Sequence, residues 1–97
     1  AFVRVAQGSA TVAMVTAGGL AAPLIAAAGL SPAQVALVTV AIGAGATVVS
    51  HVNDTGFWLV KQFLGLTEAQ TLRSWTICST IAGCIMFVMA AILWPFA

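Results

Sequence analysis

Between Arg4 and Asp54 the chain carries no charged side chain. Its whole complement of formal charge is Arg4, Asp54, Lys61, Glu68 and Arg73, or 5% of 97 residues, against 62% hydrophobic residues and a mean hydropathy of +1.14. Soluble domains are about 25% charged. Five charges cannot build a water-facing surface, so the composition predicts an integral membrane protein. A net charge of +1 gives no footprint for nucleic acid and no polybasic patch for anionic lipid. Nothing at the start reads as a signal peptide. The first residue is Ala, and the chain is read as a fragment or a processed piece, with Pro95-Phe96-Ala97 as the C-terminus.

Three apolar segments stand out, at about 9–30, 32–49 and 75–96. Each is near the roughly 20 residues that a helix needs to cross a bilayer core. The junctions share one device. Gly29-Leu30-Ser31-Pro32-Ala33-Gln34 and Gly65-Leu66-Thr67-Glu68-Ala69-Gln70 each offer a glycine to end one helix and a hydroxyl N-cap to begin the next. A Gln three residues on can close a capping box, and Pro32 falls where a missing N–H is harmless. New helices are therefore expected at 31/32 and 67/68. Segment one is rich in Ala and Gly, which suits close helix packing, and Gly18-Gly19 and Pro23 are candidate breakpoints. Segment three is bulkier, with Trp94 placed as an interfacial anchor. Cys78 and Cys84 are about 600° apart around a helix, on different faces, so neither a disulfide nor a metal pair is expected. No metal site, no cofactor and no enzymatic activity is indicated.

FWLVKQFL at 57–64 extends segment two past a polar interruption. The two together make one long helix broken in its middle. Lys61 and Arg73 then flank a short loop that the positive-inside rule puts in the cytoplasm, with the last span running outward.

The interruption gathers Ser50, His51, Asn53 and Asp54, with Gly56 behind them. An acid near a bilayer midplane costs on the order of 2.5–3.5 kcal/mol on insertion scales, so it persists where it lines a cavity, has a partner or titrates. Asn53, Asp54 and Gly56 are poor helix residues. An unwound stretch would free backbone groups that are tolerated only against protein or a water-filled site, as in the broken helices of secondary transporters. The plain alternative is a turn at the membrane surface. Asn53-Asp54-Thr55 also matches a glycosylation sequon, a short and common pattern. Ser50, His51 and Asp54 lie too close in sequence to form a hydrolase triad.

A second polar stretch runs from Arg4 through Gln7, Gly8, Ser9 and Thr11. Arg4 offers a planar fork suited to a carboxylate, and a helix beginning at Ser9 would aim free N–H groups at the same place. Equally, Arg4 reads as a snorkelling interfacial residue and Ser9 as a simple cap.

Taken together, RVAQGSATVAMVTAGGL, SHVNDTGFWLVKQFLGLTEAQTLRSWT and the run Thr71-Leu72-Arg73-Ser74-Trp75-Thr76 resemble the C-terminal region of the gluconate permease family, proton symporters of bacterial inner membranes. The resemblance covers essentially the whole chain. It implies an all-α, multi-pass membrane protein fragment of the ion transporter superfamily with three parts. Residues 1–30 would be a re-entrant hairpin tip and its returning arm. Residues 31–64 would be a broken transmembrane helix, and residues 65–97 a capped loop and the last span. It further implies proton-coupled uptake of gluconate or a related sugar acid, with the lipid bilayer and the remainder of a longer carrier chain as partners, and it is compatible with an oligomer. Arg4, or the amides near Ser9, would hold the substrate carboxylate. Gln7, Ser9, Thr11, Ser50 and Asn53 would bond its hydroxyls, and Asp54 or His51 would carry the proton. The competing readings are a proton-translocating ring subunit, also Gly/Ala-rich with a lone membrane carboxylate, and a small structural membrane protein.

Overall fold

Both capping boxes form. In the computed structural model, which describes all of residues 1–97, Ser31 Oγ accepts the Gln34 amide at 3.2 Å while the Gln34 side chain accepts the Ser31 amide at 3.0 Å. Thr67 and Gln70 repeat the exchange at 3.2 and 3.0 Å. Gly29 and Gly65 end the preceding helices in the left-handed region, at φ 61° and 64°. Five helices follow from these punctuation marks: α1 (Phe2–Gln7), α2 (Ala10–Ala28), α3 (Pro32–Thr47), α4 (Thr55–Leu64) and α5 (Glu68–Phe96). There is no strand.

One expectation above changes: α2 runs unbroken through Gly18-Gly19 and Pro23. Arg73, expected with Lys61 to flank a short loop, lies inside α5, which is helical from Glu68 onward as the Thr67 cap predicts. The connection is only the capped turn at Gly65-Leu66-Thr67, and the Thr67 cap starts the helix well before the apolar run at Trp75. Lys61 at the end of α4 reaches Glu68 across that turn at 3.5 Å and sits 5.6 Å from the Trp58 ring centroid.

α2 and α5 are each long and apolar enough to cross a membrane. α3, at 16 residues, rises about 24 Å and falls short of the roughly 30 Å hydrocarbon core. The helical path then stops at Thr47 and resumes at Thr55. Within α5, residues Leu72–Thr76 form a π-helical turn.

The principal packing is α3 on α5, through small residues. Ala44 and Ala46 are buried on α3, and Gly83 and Ala90 on α5. A Cβ at Gly83 would lie 2.7 Å from the Ala44 carbonyl oxygen and 2.5 Å from Val48 Cγ1, so the helices meet there backbone to backbone. α2 touches α3 but buries only Ala13. Leu20, Leu24 and the Ile81, Ile85 and Phe87 side of α5 are exposed apolar surface.

Gly83→Ala is therefore expected to destabilise the intact protein by about 1–3 kcal/mol through overpacking, read as a lower melting temperature in detergent. Gly19→Ala, which meets nothing within 4 Å, should leave it unchanged or raise it slightly. Equal melting of the two variants would contradict the close approach. Thr67→Ala, which removes an N-cap, should cost about 1 kcal/mol in the same assay, and an unchanged melting temperature would count against that cap.

Candidate functional site

The interruption between α3 and α4 is held open by specific bonds. Val49 sits at φ 51°, a left-handed conformation that a β-branched residue adopts only under constraint from its surroundings. The constraint comes from α5. Thr80 Oγ1 accepts the Val49 amide at 3.0 Å, Ser79 Oγ accepts the Ser50 amide at 3.4 Å, and Thr76 Oγ1 donates to the Ser50 carbonyl. Thr76, Ser79 and Thr80 are spaced i, i+3, i+4 and share one face of α5. Their hydroxyls satisfy backbone groups just past the end of α3, as an apolar setting requires. The segment closes with the Asp54 amide on the His51 carbonyl at 2.9 Å, and Asp54 Oδ1 caps α4 by accepting the Gly56 amide at 3.2 Å.

Asp54 Oδ2 faces the other way. It receives Arg4 Nη2 at 2.6 Å and the Ser50 hydroxyl. Arg4 comes from α1, and its side chain is 5% exposed against 13% for that of Asp54. Arg4 Nη1 donates to the Gly8 carbonyl at 2.6 Å, while Arg4 Nε is buried without a partner. Ser50 Oγ also accepts Trp75 Nε1–H at 2.8 Å, from within the π-helical turn of α5. Three stretches thus bond one carboxylate, and α5 joins them through Ser50. Beside it lies a cavity of about 320 Å³ whose polar lining includes Arg4, Thr47, Ser50, Asp54, Trp75 and Ser79.

Gly8 makes the convergence sterically feasible. It holds φ 75°, and a Cβ there would sit 2.0 Å from the Asn53 carbonyl oxygen. The α1 backbone and the 48–54 segment therefore touch directly. Asn53 Nδ2 donates to the Val5 carbonyl at 2.8 Å, and His51 Nε2 lies 3.3 Å from the same oxygen.

Of the residues singled out from sequence, Arg4, Ser50 and Asp54 meet. His51 and Asn53 are close by, but they tie the segment to α1 and do not line the cavity. Ser9 caps α2, its Oγ accepting the Val12 amide at 3.2 Å. Gln7 and Thr11 are exposed. Sequence reasoning missed Trp75, Thr76, Ser79 and Thr80. The available signal was three hydroxyls on one face of an otherwise apolar span.

The chain matches the GntP family permease over residues 1–96. It is 48% identical over 95 residues to the high-affinity gluconate transporter of Escherichia coli strain K12, a match that takes in 92% of this chain and 21% of that protein. It is 46% identical over 91 residues to the inner membrane permease YgbN (94% and 20%) and 47% identical over 81 residues to the Gnt-II system L-idonate transporter (84% and 18%), both from the same organism. No solved structure matches. The chain spans about a fifth of the length of the curated relatives it matches. With the match running from its first residue to its penultimate one, the chain belongs to the GntP permease family.

Proposed function

We propose that this chain is the C-terminal part of a proton-coupled carrier that takes up gluconate or a related sugar acid across the bacterial inner membrane. The observation that carries the reading is a part-buried pair, buried Arg4 on half-buried Asp54, at the point where an apolar helix comes undone, facing a cavity of about 320 Å³. That volume is near the lower end of the roughly 300–1,000 Å³ range of small-molecule sites. Relatives named for gluconate and L-idonate transport support a six-carbon polyhydroxy monocarboxylate as cargo. A relative named as an inner membrane permease supports the location. The match over nearly the whole chain favours this reading over a ring subunit or a small structural protein.

In this reading α3, the interruption and α4 form one broken transmembrane helix. α3 is too short to span alone, and its continuation after the break supports this. α5 is the last span. α2 is the returning arm of a re-entrant hairpin whose tip lies at Gln7-Gly8-Ser9. The exposed apolar surface of α2 and α5 is covered by lipid and by the rest of the carrier. Arg4 holds the substrate carboxylate. Ser50 bonds its hydroxyls, joined by Thr47 and Ser79, whose side chains also line the cavity. Gln7, Ser9, Thr11 and Asn53 extend the polar surface toward the part of the carrier that completes the site; Ala10, between Ser9 and Thr11, lines the cavity. Asp54 or His51, three residues apart in the chain, carries the proton.

The test is uptake by the intact protein in liposomes. An inwardly directed proton gradient should drive accumulation of labelled gluconate, and no accumulation would reject the carrier reading. Thr47→Val should raise KM for gluconate about 2- to 10-fold, the value of one neutral hydrogen bond. Thr39→Val, whose hydroxyl bonds its own helix at Val35, should leave KM unchanged.

A further inference from the structure

The guanidinium of Arg4 is only half used. Its Nε and Nη2 donors lie on one edge of the planar group, the edge that grips both oxygens of a carboxylate. Here Nη2 holds Asp54 Oδ2 at 2.6 Å, but Nε is buried and has no partner. Asp54 does not fill the fork: its other oxygen is turned to the Gly56 amide at the start of α4. The pair is single-pronged in a place where a free carboxylate would bind with two. The cavity lies against this pair, and Ser50, which donates to Asp54 Oδ2, lines it as well.

We propose that Asp54 is a resident stand-in for the carboxylate of the transported sugar acid, and that cargo and proton are coupled by exchange of these two carboxylates on Arg4. This rests on the reading of the chain as part of a sugar-acid carrier. In the empty site Arg4 is paired with ionised Asp54. When the substrate carboxylate takes the Nε–Nη2 edge, Asp54 loses its counter-charge in an apolar setting and takes up one proton from water. It keeps its Gly56 contact and no longer needs Arg4. Arg4 stays protonated throughout. The balance is one anion and one proton in, with the charge at the site unchanged: a cation and an anion before, the same cation with the cargo anion and a neutral acid after. Release of cargo returns the proton to the other side and restores the pair.

Few other groups can take that proton. α2 and α3 bring no titratable side chain, and the Arg4 of α1 is a permanent cation. From α5 only Cys78 reaches the cavity. Lys61 and Glu68 pair with each other, and Arg73 is exposed. His51 is the nearest alternative, and its ring meets the Val5 carbonyl.

The test is equilibrium binding of gluconate to the purified intact protein across pH. The wild type should bind with uptake of one proton per gluconate. Its affinity should then fall about tenfold per pH unit once Asp54 is ionised in the empty protein. Asp54→Asn should still bind gluconate, with affinity independent of pH over the same range, and a neutral hexitol should provoke no proton uptake in either protein. A pH slope that persists in Asp54→Asn overturns the exchange and points to His51, while leaving the carrier reading in place. No gluconate binding at any pH rejects the carrier reading itself. Should Asp54→Asn fail to fold, the wild type decides alone: infrared difference spectra must show a carboxylic acid C=O band that grows on gluconate binding, and its absence overturns the exchange.

Discussion

An opened helix inside an apolar protein must have its amides and carbonyls taken up by something other than water. Here that requirement falls on α5. Thr76, Ser79 and Thr80 bond Val49 and Ser50, and those bonds hold a left-handed valine that local preference would reject. Everything at the candidate site depends on this. With the segment held open, Ser50 turns toward Trp75, Asp54 turns toward Arg4, and α4 starts from the Asp54 cap.

The second dependence is a bare contact. Gly8 lets α1 approach the Asn53 backbone so closely that Arg4 reaches Asp54 across some fifty positions of sequence. His51 and Asn53 brace that contact through Val5. A buried ion pair is weak evidence for stability, since desolvation offsets much of its attraction. A pair that also leaves a donor unmet makes less sense as a structural staple than as a site that another anion can enter.

The helix starts were legible because capping is local chemistry: Ser31 with Gln34 and Thr67 with Gln70 carry their own partners within one turn. The break was legible from Asn53, Asp54 and Gly56, all poor helix residues. Its beginning at Val48 was not. No local preference ends a helix before two valines, and the cause lies some thirty residues away on α5. For the same reason Trp75 read as the first residue of an apolar span, when its indole N–H completes the polar cluster. Lys61 and Arg73 read as flanking a short loop, and the Thr67 cap shortens that loop to one turn, leaving Arg73 within the helix. Arg4 and the Ser50 to Asp54 cluster each stood out by residue chemistry, and only the family resemblance joined them in one site. The finding that Arg4 is already engaged needed the fold.

The contact at Gly83 divides the chain into mechanically unequal parts. Where α3 and α5 meet at Gly83, main chain lies against main chain with only the stiff Val48 side chain beside it, so sliding or rolling meets early collision. They form a stiff keel. α2 is joined to its neighbours through left-handed glycines at both ends and is anchored by little more than Ala13. α2 can therefore yield more readily than the keel, while its near end stays pinned where Gly8 meets the Asn53 backbone and Arg4 meets Asp54.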